Sequence, residues 1–374
     1  MSGSRVRAAL ARLEPPPSWV DWSILALVAF EVGSGLVSLT VGTPDGAWLF
    51  VFHAVAGFTL VALLAYKFRR VRRRVTDTRL WDGGTPVSIL LGTLALGALG
   101  TGVYWALSGP VRVLAWPLLF VHMVLGALVA PVLLWHLRHR FRLPATEGVD
   151  SRRTTLQYSA LLATGALTWK AQQVAGDALS LPGADRRFTG SKEDGSDEGN
   201  AFPVTSWVAD DPDPVDTDEW TLTVAGAVES PTEFGYGDLP TDPASGSPDT
   251  IGDTTERALL DCTSGWYSEH DWRGVRVGDL LDTVEPTDEA RWVRFHSVTG
   301  YRWSLPVEEA RDALLATHVD DEALSHGHGF PLRLVAPGRR GFQWVKWVDR
   351  VELTRRRDPG QWVAIFVSGL DERQ

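Results

Sequence analysis

The chain has 374 residues, 44% of them hydrophobic, with 17 Trp, a single Cys and a formal net charge of −10. That length allows two or three domains, and one cysteine excludes an internal disulfide framework. Residues 1–175 carry 17 Lys and Arg against 8 Asp and Glu, so the remainder carries −19; an acidic portion without a basic, aromatic-rich patch argues against nucleic acid as a partner.

In the acidic portion Arg greatly outnumbers Lys. This balance reads as halophile adaptation to high salt, with ordinary acidic solubility as the plainer alternative.

The chain opens with a basic lead-in, Arg5, Arg7 and Arg12, stopped by Pro15 to Pro17. Four apolar segments follow, at residues 19–41, 47–66, 86–107 and 113–135. Each has the ~20 residues that a helix needs to cross a bilayer. Four in a row exclude a cleaved signal peptide. Basic residues cluster before the first segment, between the second and third (Lys67, Arg69, Arg70, Arg72, Arg73, Arg74) and after the fourth (Arg138, Arg140, Arg142). The other two loops carry little charge. The basic loops are therefore placed in the cytoplasm, against anionic lipid.

His53 and His122 lie about six and nine residues from the outer ends of segments two and four. Their depths differ by only ~5 Å. Ionisable side chains at that depth are functional candidates, and two imidazoles on separate helices can ligate one b-type haem. The alternative is that each bonds a neighbouring helix. Gly92, Gly97, Gly100 and Gly102 would admit a flat macrocycle or another helix. His136 follows His122 by 14 residues, but segment two offers only Lys67 as its inner partner. His136 and His139 therefore read as interfacial, and one outer haem is expected.

Ser151-Arg152-Arg153-Thr154-Thr155-Leu156-Gln157 precedes an apolar run at 158–169. It looks like an internal twin-arginine export signal, or two cytoplasmic arginines before a fifth span. A polar linker covers 181–200. Short β-like runs, such as Trp220 to Gly226, then alternate with turns. Residues 278–284 read as a helix, 291–297 as a strand, 305–317 as a helix, and 331–336 and 345–353 as strands. This pattern predicts an α+β domain.

Two stretches in that domain carry chemistry. Ala258 to Leu260 reads as a buried strand ending at Asp261, and Thr263-Ser264-Gly265 turns the chain. Cys262 sits at this exit. A lone cysteine is by default a small buried hydrophobe; at a strand exit it can instead be a nucleophile or a soft metal ligand. The second stretch runs from His326 to Trp347 and includes His328-Gly329-Phe330-Pro331-Leu332-Arg333, Gly338 to Gly341, and Trp344-Val345-Lys346. Arg forks, a Lys and close backbone N–H groups suit a phosphate.

Together these motifs resemble the molybdopterin-binding catalytic domain of the sulfite oxidase family, over about residues 187–355. The resemblance implies that Cys262 ligates molybdenum. It implies that His328, Arg333, Trp344, Val345 and Lys346 bind the phosphate and pterin of Mo-molybdopterin, with Ser297 helping to hold it. The methionine sulfoxide reductase branch would add Thr189, Lys192 and Glu193. No room follows Arg355 for the dimerisation domain of classical sulfite oxidases, so the chain is similar to that branch. The N-terminal bundle resembles the haem-bearing membrane cytochromes that link molybdenum enzymes to quinol.

The expected architecture is a transmembrane four-helix bundle (1–145), a twin-arginine-like segment and fifth span (146–180), and an α+β molybdopterin domain (181–374) on the extracytoplasmic side. The expected function is oxygen-atom transfer on a small-molecule or protein sulfoxide or sulfite, with electrons exchanged with the quinone pool through haem b. Thr263 and Ser264 beside Cys262, instead of clustered arginines, lean towards a neutral sulfoxide. The alternative is a membrane electron-transfer or sensing protein with a non-catalytic molybdopterin-like domain.

Overall fold

The computed structural model describes residues 16–114, 116–141, 152–206, 210–240 and 252–369. Arg5, Arg7, Arg12, Arg142 and Ser151 lie outside the described residues. The chain divides into two compact units, Met1–Lys192 and Glu193–Gln374.

Among the described residues, the first unit holds five long helices: α1 (Pro17–Ser38), α2 (Ala47–Thr76), α3 (Thr85–Leu107), α4 (Leu118–Arg140) and α5 (Arg152–Ala178). Proline in the first turn of α1 and α3 fixes φ where no intrahelical N–H is needed. Helices α2 and α4 run past the apolar segments that define them, because Lys and Arg are good helix formers and carry the helix on into water. Helix α4 starts only at Leu118, because residues 112–113 and 116–117 pair as short antiparallel strands.

Among the described residues, four helices are long and apolar enough to cross a membrane, namely α1, α2, α3 and α4. Leu36, Val37, Phe52, Leu96 and Leu134 are exposed on them, as lipid contact requires. Helix α5 forms where a fifth span was expected, but it is more polar, with Gln157, Lys170, Gln172, Gln173 and Asp177 along it, and is not among those four.

Val28, Leu60, Leu64 and Val129 make one apolar cluster of the bundle, and Val20, Leu63 and Leu161 another. Asp21 accepts from Lys67 (2.7 Å) and from Arg70, tying α1 to the basic end of α2. Two glycines of α3 pack closely on α4: a Cβ at Gly97 would meet Leu125 at 3.2 Å, and one at Gly102 would meet the His122 ring at 3.0 Å.

The second unit is built on two sheets. Strands β1 (Thr221–Gly226), β2 (Thr232–Gly235), β5 (Trp292–Ser297), β6 (Arg302–Pro306) and β10 (Val348–Thr354) form one, in the order β2-β1-β10-β5-β6. Only β1 and β10 run parallel. The other sheet centres on β4 (Trp266–Arg276). It pairs antiparallel with β3 (Thr254–Asp261) on one side and β7 (Leu314–Val319) on the other. β7 also pairs with β8 (Glu322–Ala323) and β9 (Arg333–Val335). Short helices α6 (Val277–Val284), α7 (Val307–Asp312) and α8 (Gln361–Val367) complete the unit. The whole is the expected α+β arrangement, with Trp272, Phe295, Leu314, Leu334 and Val335 in its core.

One expected element differs. Residues 305–317 do not form one helix: β6 runs to Pro306, α7 spans six residues, and β7 begins at Leu314. Every residue of β7 is buried. A run buried on both faces carries no alternation to distinguish strand from helix. Pairing to β4 and β9 decides it. The strand expected at 331–336 shortens to β9, since Pro331 has no N–H to give the ladder.

Helix α5 crosses α2 at Gly165, where an added Cβ would sit 2.2 Å from Thr59 Oγ1 and 2.8 Å from Val55 O. Gly165→Ala should therefore lower the melting temperature of the detergent-solubilised protein, by overpacking of about 1–3 kcal/mol. A variant that melts like the parent would deny this contact.

Candidate active site

Cys262 follows directly on β3. Its N–H donates to Trp266 O (2.9 Å) and its carbonyl accepts from Gly265 N (3.1 Å), with Gly265 at φ +97°. This closes the β3–β4 hairpin and leaves the thiol at the strand exit, 7% exposed. Ser264 N–H points at Sγ from 3.5 Å.

The glycine-rich loop packs against this exit. Arg340 makes a buried ion pair with Asp261 (3.3 Å) and donates from Nη2 to Cys262 O (3.2 Å). Asp261 and Arg340 also form a parallel bridge. A Cβ on Gly341 would lie 3.1 Å from Cys262 Cα, so only glycine lets the loop come this close. The two sequence motifs thus meet at Cys262.

Arg333, on β9, is 5% exposed. Its Nη1 donates to His328 O (2.8 Å), and its guanidinium lies over Trp272 and Trp344 at 5.6 and 5.9 Å. Its buried Nε has no hydrogen-bond partner. Burial pushes Arg333 down to about 10, against the pull of the Cys262 thiolate.

Lys346 donates to Ser206 Oγ (2.8 Å) and Gly327 O (3.0 Å). Burial, with Arg333 nearby, lowers it to about 7. Gly329, at φ +109°, lets the His328 segment pass against Lys346 Cβ. His328 donates from Nε2 to Phe202 O (2.9 Å), so Nδ1 accepts from Ser325 Oγ (2.8 Å). Burial lowers it to about 4, and it is a neutral imidazole.

Trp344 is buried and donates to Arg339 O (3.2 Å). Val345 is a fully buried core residue whose carbonyl accepts from Leu334 N (2.8 Å), so its side chain has no path to a ligand. Ser297 ends β5, with its Oγ 3.0 Å from Thr299 Oγ1. The next residue, Val298, donates to Trp347 O (3.0 Å), which ties this turn to the Lys346 segment. Asp210 is raised by burial and faces Thr299 and Lys346.

Thr189, Lys192 and Glu193 lie on the segment that ends the first unit and opens the second. Thr189 and Lys192 belong to the first unit, where Thr189 is buried and Lys192 Nζ donates to Pro182 O (2.6 Å). Glu193 opens the second unit and accepts from Ser196 N (2.9 Å). These bonds are local to the chain around them.

Sequence reasoning assigned no role to Arg340 or to the pair His270–Asp320. His270 is fully buried, bonds Asp320 through Nδ1 (2.5 Å) and leaves Nε2 without a partner. Phe202 lies between His270 and His328, with ring centroids 4.6 and 3.8 Å away. Asp320 and Asp321 take positive φ in the two-residue turn between β7 and β8, which no pattern in the chain announces.

The residues present fit an anionic molybdenum cofactor. Cys262 offers a soft ligand. The orphaned Arg333 Nε and the desolvated Lys346 are incomplete without an anion.

In the first unit the His53 and His122 ring centroids are 6.2 Å apart and nearly perpendicular. The Nδ1 atoms are engaged by protein: His53 with Glu31 Oε2 (3.0 Å) and Ser34 Oγ (2.8 Å), His122 with Ala98 O (2.8 Å). His136 instead meets Ser88 Oγ (3.1 Å). Glu31 was not singled out in the sequence, although a lone acid inside an apolar span is the available signal.

The fold and this site define a molybdopterin-binding oxidoreductase, and the chain belongs to that family. Residues 209–362 match the family described as oxidoreductase molybdopterin binding domain. The Bacillus subtilis protein named Uncharacterized oxidoreductase YuiH is 31% identical over 165 residues, covering 43% of this chain and 78% of that protein. The protein-methionine-sulfoxide reductase catalytic subunits MsrP of Pseudomonas syringae and Gluconobacter oxydans are 27% and 28% identical, over 53% and 38% of this chain. The matches span 60% and 49% of those two proteins. The sulfane dehydrogenase SoxCD structure from Paracoccus pantotrophus is 27% identical, covering 38% of this chain and 40% of that chain, with a TM-score of 0.34.

Two outcomes follow from the electrostatics. Arg340→Leu removes the buried ion pair to Asp261 and should cost about 3–5 kcal/mol of stability in denaturant titrations; a loss under ~1 kcal/mol would deny the lock. In cofactor-free protein, His328 and Lys346 each bind fewer protons folded than unfolded. Stability should therefore rise with pH from about 4 to 6.5 and again from about 7 to 10.5. Lys346→Met should flatten the upper rise, as unfolding at pH 7 and pH 9 would reveal.

Proposed function

We propose that this protein is a membrane-anchored molybdenum enzyme that transfers an oxygen atom to or from a sulfoxide- or sulfite-type substrate and exchanges electrons with the quinone pool. The observation that carries the reading is the meeting of Cys262 with the Arg340–Gly341 loop, beside a buried Arg333 and Lys346. Cys262 holds molybdenum. Arg333 and Lys346 hold the phosphate, and His328, Ser297 and the Trp344–Lys346 backbone orient the pterin. Bound molybdenum supplies the oxygen-transfer and redox chemistry. The chain supplies a soft ligand, fixed positive charge and a site screened from water.

A neutral sulfoxide is the favoured substrate class. Arg273 is committed to Asp253 (2.8 and 2.9 Å), Arg340 to Asp261 and the Cys262 carbonyl, and Arg333 donates to the His328 carbonyl. An anion such as sulfite would need free guanidinium forks beside the thiolate. The sulfoxide reductases among the relatives support the same choice.

His53 and His122 hold a b-type haem, which passes electrons between quinol and molybdenum. The basic ends of α2 and α4 place those ends in the cytoplasm and the histidines near the outer face. The catalytic unit then lies outside, exported through the twin-arginine-like segment at Arg152. The acidic composition suits a salt-rich exterior.

The test is metal analysis with a reduced-minus-oxidised spectrum on solubilised protein, followed by sulfoxide reduction with reduced quinone. Cys262→Ala should lose molybdenum and all turnover yet keep the haem spectrum. His53→Ala or His122→Ala should lose haem absorbance and keep molybdenum. Turnover that survives in Cys262→Ala would sink the ligand assignment.

A further inference from the structure

We propose that helix α8 is a membrane-contact element that lays its outer face on an anionic phospholipid surface; this rests on the membrane-anchored reading above. The inner face of α8 is set by Gln361, Ala364 and Ile365, with Ser368 at its end, all buried and spaced as one side of a helix. Gln361 Oε1 accepts from Ser304 N (3.2 Å), and Ile365 joins the domain core. With that face inside, the opposite face should be polar. It carries Trp362, Val363, Phe366 and Val367 instead, between 40% and 78% exposed. Among the described residues of the second unit, only Val204 is another large apolar side chain so exposed. Apolar surface gathered in one place marks a contact face.

The chemistry beside the patch identifies the partner. Arg355, Arg356 and Arg357 lie just before α8, and all three are exposed. Arg355 pairs with Glu289 at the surface, and Arg357 lies over Trp292 and Trp303 at 5.8 Å. Trp303 packs edge-on against Trp362 at 5.0 Å, which joins the basic run to the apolar patch. The acid between them, Asp358, is committed to Arg302. The rest of this unit is strongly acidic and has no general attraction to an anionic surface, so the three arginines select the face that touches it. Apolar side chains with a tryptophan, bordered by arginines, suit a bilayer interface, with guanidinium groups at the phosphates and rings at the acyl boundary. A second protein fits less well: the four side chains expose on the order of 400 Å², half of the ~800 Å² that each partner buries in a stable interface. A lipid surface sets no such minimum, because the spans in the same chain already hold the unit near the bilayer.

The experiment is spin labelling of the full chain in nanodiscs, read by power-saturation EPR with oxygen and a water-soluble nickel chelate. Phe366→Cys carries the label, and Glu233→Cys, exposed on β2, is the water-facing control. The parent, with its one thiol in the buried Cys262, gives the background. In phosphatidylglycerol nanodiscs, the Phe366→Cys label should show an oxygen-to-nickel collision ratio several-fold above that of the control. The ratio should fall in phosphatidylcholine nanodiscs, and when Arg355, Arg356 and Arg357 are all replaced by Gln. A ratio equal to the control, or one indifferent to both lipid charge and the arginines, overturns the proposal. So does a label shielded from both reagents, because protein then covers the patch. If Phe366→Cys fails to fold, Val363→Cys takes its place with the same outcomes. A parent chain that stays soluble without detergent or lipid overturns the membrane reading itself, and is distinguishable from all of these.

Discussion

The buried ion pair between Arg340 and Asp261 is the constraint on which the catalytic half depends. It joins the last residue of β3 to the glycine-rich loop, and Cys262 is the next residue along. Two charges taken out of water must be well matched to be tolerated at all. Here the match is completed by the Arg340 bond to the Cys262 carbonyl and by the approach of Gly341 to Cys262 Cα. The Cys262 backbone is thus held by the β3–β4 hairpin on one side and by Arg340 and Gly341 on the other. A metal ligand needs that rigidity, because coordination tolerates little displacement.

The cradle around it follows a different logic. Arg333 and Lys346 are cations driven into an apolar setting of Trp272, Trp344 and Trp347. The aromatic faces offset part of the desolvation, and His328 stays neutral beside them. The result is positive potential without solvent, which suits a phosphate better than any surface cluster of lysines. The bundle inverts the arrangement: there the unusual buried group is an acid, Glu31, set against a histidine.

Much of this was legible in the chain itself. The four spans are plain because lipid selects for apolar length alone. Cys262 was placed correctly because Thr263-Ser264-Gly265 must turn after an apolar run. The failures share a cause. Residues 314–319 alternate with nothing, being buried on both faces, so helix and strand read alike until β4 and β9 pair with them. His270 and Asp320 are 50 residues apart and meet only because β4 and β7 are neighbours. Glu31 and His53 meet only because α1 packs on α2. Local pattern reports the elements; partners chosen across elements are reported by topology.

The burial of Arg333 has a consequence for how long the enzyme lasts. The residue lies within the core beneath two tryptophans, on a strand paired to β7. A cofactor anchored there cannot exchange by loosening a surface loop. Its departure requires β9 and the tryptophans to open together, a motion that belongs to partial unfolding. Retention is then a kinetic property of the fold, set by the barrier to that opening and not by equilibrium affinity. A cofactor that anchors at Arg333 would then have to enter as the domain folds.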